Sequence, residues 1–287
     1  MIKEFAVDPR LVVRSYADLK YVIEKFGFPE GRVISQFPSG WLRAAYQTAK
    51  QLHVGKVECA RIEEKLKRIP KNVLVPLGRP GGDGSVDWRE LASTEHRRQP
   101  FDYILATPLI EDCPCVSLDE FEDGHPSLEY SRDRVIRREA AEMADACALL
   151  LRTARHIKII DPYFDFQKPR FAKTFLAFLS KVGNAAIDIH RNDDVSRDEL
   201  KRRAERHLPK VLPERVSVRM YTWPKDEMHN RYLLTDLGGV TFGTGLDEYL
   251  PGKVEEDHIV LLGEDVRKNF WARYAGGDLV AEWAKRS

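Results

Sequence analysis

A glycine-punctuated hairpin constrains this chain more than any other stretch. Residues 226–249 read DEMHNRYLLTDLGGVTFGTGLDEY. Tyr232, Leu233, Leu234 and Thr235 are strand formers, and Leu237-Gly238-Gly239 signals a reversal into a second strand over 240–242. Alternate residues of a strand share a face, so a strand through His229 and Arg231 presents an imidazole beside a guanidinium. Behind the hairpin lies a glycine-rich corner, Gly243-Thr244-Gly245, where a backbone N–H or a hydroxyl can approach an anion closely.

These residue types suit phosphoryl transfer. Cleaving a phosphodiester takes a nucleophile, a proton donor for the leaving oxygen and cations on the non-bridging oxygens. Histidine serves as nucleophile or acid near neutral pH. Arginine stays charged and grips phosphate with a two-pronged fork.

The spacing His229-x-Arg231-x4-Asp236, followed by Gly243-Thr244, resembles the HxK(x4)D…GS signature of the phospholipase D superfamily, with Arg for Lys and Thr for Ser. The ending Gly243-Thr244-Gly245-Leu246-Asp247 is most similar to the phospholipase D-like domains at the C-terminus of MIT-domain proteins and to their bacterial relatives. Upstream, Ile159-Ile160-Asp161-Pro162-Tyr163-Phe164 resembles the first strand of such domains, so the likeness spans residues 155–275.

The resemblance implies hydrolysis without metal or other cofactor. His229 attacks phosphorus, a second histidine protonates the leaving oxygen, and water resolves the phosphohistidine. With one motif per chain, it also implies a homodimer that brings two copies of His229 together. In this scheme Arg231 binds phosphoryl oxygens and Thr244 donates a further hydrogen bond. Asp257, with Glu256 as the alternative, orients the histidine, and Asp236 is structural, fixing the hairpin.

Two departures matter: Leu246 replaces the usual asparagine, and Asp247 brings a negative charge beside it. The expected activity is that of a metal-independent phosphodiesterase, foremost a nuclease acting in anti-phage defence. Its alternative is a non-catalytic module that binds nucleic-acid or lipid phosphates, or a subunit of a larger defence assembly.

The chain's 287 residues suffice for two ordinary domains. Its 46 basic residues against 45 acidic ones rule out a polybasic nucleic-acid coat while leaving room for a local basic patch. No apolar run reaches spanning length and the N-terminus lacks a secretory core, so a cytoplasmic protein is expected. Four scattered cysteines, with only Cys113-Pro114-Cys115 close-spaced, read as reduced structural thiols with no zinc spacing.

The fold expectation is α/β: a phospholipase D-like mixed sheet flanked by helices over 127–287, with an additional α/β domain over 1–126 that is free to dock a protein partner. In the first part, helical periodicity marks 15–26, 41–52 and 56–69, and apolar runs mark strands at 31–37, 72–77 and 101–107. Residues 79–84 read as a mobile Gly/Pro loop, and 108–126 as a linker. Residues 96–102, HRRQPFD, miss the His-x-Arg motif by one position, and Pro100 sits where a strand would run.

In the second part, 127–154 predicts one long helix. Strands follow at 156–164, 185–190 and 216–223, and helices at 169–182 and 195–208. A last strand at 258–262 and a helix at 266–274 precede a closing tail. Ligands gather at the carboxyl ends of such strands, which nominates Asp161, Tyr163, His190 and Arg191 beside Gly243. Arg203, on the basic helix 195–208, is the candidate for a polyanion's backbone.

Overall fold

The structure, a computed structural model, describes residues 1–81, 86–128, 132–250, 252 and 255–285. Within residues 2–131, β1 (Lys3–Val7) is the central strand. Phe5, Ala6 and Val7 have no exposed surface, as a parallel strand covered on both faces requires. The chain continues through α1 (Pro9–Val12), α2 (Tyr16–Lys25), β2 (Arg32–Ser35), α3 (Trp41–Leu52), α4 (Val57–Lys67) and β3 (Leu74–Val75). Then come α5 (Trp88–Arg98), β4 (Tyr103–Leu105), β5 (Cys115–Val116) and α6 (Leu118–Glu122).

The five strands pair in parallel in the order β3-β2-β1-β4-β5. Phe5, Val7 and Leu105 pack with Trp41, Ile62 and Phe121 in one apolar cluster. Ala6, Ile104 and Ala106 pack with Trp88 and Ala92 of α5 in another.

Two expectations change here, and the near-miss motif gains its setting. Residues 108–126 are no linker: β5 extends the sheet, and Ser117 and Glu120 cap α6 reciprocally. The near-miss motif lies on a helix, where His96 Nδ1 accepts from Phe101 N and Arg98 pairs with Glu95. In the Gly/Pro loop, Arg79 is fully buried against Glu4 and Glu95, while residues 82–84 lie outside the described residues.

Residues 132–287 form the second unit. Its elements are β6 (Asp133–Arg137), α7 (Ala140–Ala146), α8 (Ala148–Thr153), β7 (His156–Ile160), α9 (Pro169–Leu179), β8 (Ala186–Asn192), α10 (Arg197–Val211) and β9 (Ser217–Trp223). They are followed by β10 (Tyr232–Thr235), β11 (Gly239–Phe242), β12 (Glu256–Leu261), α11 (Glu264–Arg273) and β13 (Asp278–Ala284). The eight strands run β13-β9-β8-β7-β10-β11-β12-β6, parallel through β7, β8 and β9 and antiparallel elsewhere. This is the mixed α/β sheet with helices that the sequence predicts.

Two elements depart from the expectation. The long helix over 127–154 is a strand followed by two short helices, with 129–131 outside the described residues. Five residues of β6 pair with β12, a ladder that outweighs the helical propensity of the arginine-rich stretch. The tail beyond Gly276 is β13, an edge strand on β9.

Candidate active site

Strand register builds the site. Tyr232 of β10 pairs with Ile160 of β7 and with Thr241 of β11. Arg231, one residue before β10, therefore lies beside Asp161, one residue after β7, and its carbonyl accepts from Phe242 N at 3.0 Å. Phe242 pairs with Ile259, which sets Asp257 of β12 against the corner that follows Phe242. Glu256 pairs with Arg137, which brings Arg138 to the same end of the sheet.

Two buried carboxylates pin the glycine corner from opposite sides. Asp257 Oδ1 accepts from Thr244 N at 2.9 Å, and Asp161 Oδ2 accepts from Leu246 N at 2.9 Å. Asp161 Oδ1 also accepts from Tyr163 N, holding the turn after β7. The Thr244 backbone donor, part of the corner expected to meet an anion, is thus committed to a carboxylate, as is that of Leu246.

The packing leaves no room for side chains at the two glycines. A Cβ on Gly243 would lie 2.9 Å from Asp257 Oδ1, and one on Gly245 would lie 2.8 Å from Asp247 Oδ1. Burial pushes the Asp161 carboxyl above its ordinary value, against the pull of the two backbone donors and of Arg231.

Asp247 does not confront a ligand with bare charge. Arg138 Nη2 binds its Oδ1 at 2.8 Å, and Arg170 Nη1 lies 3.1 Å from its Oδ2. Arg138 also grips Glu255 through Nη1 at 2.6 Å. Three buried atoms here have no hydrogen-bond partner among the described residues: Arg138 Nε, Arg231 Nε and Asp257 Oδ2. Above the corner opens a pocket of about 240 Å³, lined by Asp161, Tyr163, Lys168, Arg170, Phe171, Arg231, Thr244, Gly245 and Asp247. Lys168, Arg170 and Arg231 give it cations, and Tyr163 and Phe171 give it aromatic surface. Among the described residues, no group of three or more His, Cys, Asp or Glu side chains is arranged to hold a metal.

The structure brings together Asp161, Tyr163, Arg231 and Thr244 in the pocket, with Gly243 and Asp257 supporting it. His229 precedes β10 rather than lying on it, and its ring is exposed. Its carbonyl accepts from Arg231 Nη1 at 3.1 Å, while the ring makes no hydrogen bond among the described residues. Asp257 meets Thr244 rather than an imidazole. Asp236 accepts from Arg155 N and His156 N, tying the hairpin to the start of β7.

His190, Arg191 and Arg203 lie elsewhere. His190 is enclosed by Tyr221, Trp223 and Tyr274, and its Nδ1 accepts from Trp223 Nε1 at 3.0 Å. Burial pulls its pKa down to about 3, so the ring is neutral. Arg191 is buried with its fork on the carbonyls of Phe164 and Asn192 and on Asp194. Arg203 pairs with Asp165 and Glu199. Each of the three has an internal partner, which removes it from the pocket.

Sequence reasoning missed Arg138, Lys168, Arg170 and Phe171. A basic pair opening a helix, Lys168-Pro169-Arg170 directly after the first strand's loop, was the signal available for two of them.

No family model and no curated protein matches the chain. Among solved structures it is similar to Nuc from Salmonella typhimurium, a phospholipase D family member, with 11% identity and a TM-score of 0.32, over 49% of this chain and 90% of that one. It is also similar to TrmBL2, an archaeal chromatin protein described as showing a novel mode of DNA binding. That match has 14% identity and a TM-score of 0.28, covering 54% of this chain and 56% of that one. Among the described residues, no helix is long and apolar enough to cross a membrane.

Proposed function

We propose that the chain is a phosphodiesterase of the phospholipase D type, foremost a nuclease, that works as a homodimer through a phosphohistidine. The observation that carries the reading is the convergence of Arg231, Lys168, Arg170 and the Thr244 hydroxyl on one pocket beside His229. In the proposed reaction a ring nitrogen of neutral His229 attacks phosphorus and the bond to the leaving oxygen breaks. Protonated His229 of a second copy gives that oxygen its proton. The second copy's ring, now neutral, takes a proton from water as the water oxygen attacks phosphorus. The P–N bond then breaks and returns its electron pair to the first histidine. Arg231, Lys168 and Arg170 neutralise the non-bridging oxygens, where charge accumulates. The exposed ring of Tyr163 suits stacking with a nucleobase, which favours nucleic acid over a lipid headgroup.

A second reading rests on one observation: Asp257 binds the corner's backbone and leaves the His229 ring unoriented. On that reading the pocket binds phosphate groups without turning them over. Incubation with single-stranded DNA, duplex DNA, RNA and a generic phosphodiester in excess EDTA, beside His229→Ala, separates the two. The enzyme predicts cleavage that survives EDTA and vanishes in the variant. Cleavage lost with EDTA defeats the phosphohistidine route. Binding without cleavage, abolished by Arg231→Ala, establishes the second reading.

A further inference from the structure

A parallel sheet whose strand order reverses has a crevice at the carboxyl ends of the strands that flank the reversal, because their connections leave toward opposite sides. In residues 2–131 the order β3-β2-β1-β4-β5 reverses between β1 and β4. A cleft of about 390 Å³ opens at that place. Asp8 follows β1, Thr107 and Pro108 follow β4, and Arg10, Arg14 and Arg89 complete the wall.

Three guanidiniums and one carboxylate line the cleft, and Asp87, Asp18 and Asp119 pair with the guanidiniums from outside the lining. Asp8 is turned to its own neighbour, accepting from Arg10 N at 2.9 Å and pairing with Arg10 Nη2 at 2.9 Å. Arg89 reaches Asp87 through Nε alone, at 3.2 Å. Arg14 reaches Asp18 through Nε at 3.3 Å, and its Nη2 lies 3.8 Å from Asp119. Arg10 is fully engaged, its Nη1 binding Asp87 Oδ2 at 3.0 Å, whereas Arg14 and Arg89 are 43% and 37% exposed and each keeps part of its fork open to a ligand.

Arg10 also lines a second cleft of about 470 Å³ with a different character. Pro38, Ala44, Trp88 and Leu91 give it apolar walls, the amides of Gln47 and Gln51 give it neutral hydrogen-bonding groups, and its one carboxylate, Asp87, is paired with Arg10. Both volumes fall within the range of small-molecule sites. A ligand that spans the two must be strongly anionic at one end and flat, largely apolar and rich in hydrogen-bonding edges at the other.

We propose that residues 2–131 bind a nucleoside phosphate here, with the phosphates on the open forks of Arg14 and Arg89 and the base in the Gln47 half. The β1–α1 turn, Asp8-Pro9-Arg10, has no glycine, and Asp8 caps the helix itself. The phosphates are therefore held by guanidinium forks rather than by the backbone cradle of dinucleotide-binding sheets.

Titration calorimetry on the full chain, with ATP, GTP and inorganic pyrophosphate in separate runs, tests this. The expected result is a site, retained in Arg231→Ala, that binds at least one of the nucleotides roughly tenfold more tightly than pyrophosphate. Arg14→Gln and Arg89→Gln each weaken nucleotide and pyrophosphate roughly tenfold, the worth of one charge-assisted hydrogen bond. Thr48→Trp, which fills the uncharged half, weakens the nucleotide and spares pyrophosphate. Arg231→Ala removes any phosphate binding at the phosphodiesterase pocket and leaves the binding that depends on Arg14 and Arg89, so the two sites are read separately. Circular dichroism confirms that each variant is folded. Three results overturn the proposal: pyrophosphate binding as tightly as the nucleotides, no heat from either nucleotide up to about 1 mM, or binding that follows Arg231 and ignores Arg14 and Arg89.

Discussion

Arg79 and Arg138 are both buried arginines clasped by two acidic side chains, one in each unit, and they differ in what is left over. Arg79 has no exposed side-chain surface. Its Nε binds Glu4 at 2.9 Å, its Nη1 binds Glu95 at 2.9 Å, and further bonds reach the carbonyls of Gln99 and Pro100. Its guanidinium also lies 3.9 Å from the centroid of Phe101. Arg138 binds Asp247 and Glu255 but leaves Nε without a partner among the described residues, and Arg231 Nε and Asp257 Oδ2 in the same corner are unpaired among them too. A buried ion pair that is fully satisfied holds a fold together. One surrounded by unmet hydrogen-bonding capacity, with a pocket above it, is a place prepared for a ligand.

The largest effect that sharpens this contrast is chemical. His229→Ala should lower phosphodiester cleavage at least ~10⁴-fold and leave the urea midpoint unchanged, since the side chain is exposed. Cleavage that persists in the variant would remove the corner from the chemistry. Next comes Arg79→Ala, which takes the fully buried cation from between Glu4 and Glu95, leaving Glu95 only the exposed Arg98, and should cost about 3–5 kcal/mol in urea unfolding. Oligonucleotide affinity should be unaffected under native conditions. Should affinity fall in step with stability, the division between structural and functional arginine collapses.

Arg138→Ala should do a little of both. We expect a loss of about 2–3 kcal/mol together with an oligonucleotide affinity weakened roughly tenfold, because Asp247 would turn its charge toward the pocket. Filter binding beside urea titration reads the two effects separately.

The last effect appears only at acid pH and comes from His190. Its folded pKa of about 3 lies below the ordinary 6.5. As pH falls, the unfolded chain takes up the proton first, so stability present above about 6.5 declines toward about 3. The slope should be about 1.4 kcal/mol per pH unit. His190→Phe should flatten it, as seen in urea midpoints measured between pH 7 and 4, whereas an unchanged slope would place the acid sensitivity elsewhere.

The hairpin was legible because its information is local: a Gly-Gly reversal between strand formers fixes register without help from the rest of the chain. The elements that were not legible depend on distant partners. β6 is a strand only because β12 lies beside it, and β13 only because β9 does.

The site divides along the same line. Asp161, Arg231 and Thr244 sit within one or two residues of strand ends, so reading the ends located them. Arg138 arrives through a pairing between residues 137 and 256, which no spacing rule exposes. His190 and Arg191 carried a warning in the sequence itself. Adjacent residues of a strand point to opposite faces, so the two could never have lined one cleft together. His229 and Arg231 needed a strand to share a face, and the strand begins at Tyr232.

The tightness of the glycine corner also has a mutational meaning. Gly243 and Gly245 are each held within 3 Å of where a methyl would strike a carboxylate oxygen that the site uses, while the exposed residue between them meets no such obstacle. A saturation library across these three positions should therefore return two that tolerate almost nothing, flanking one that tolerates a great deal. Thr244 is the position at which variation can retune what the pocket accepts while the chain keeps its shape, and directed evolution of a new specificity would best begin there.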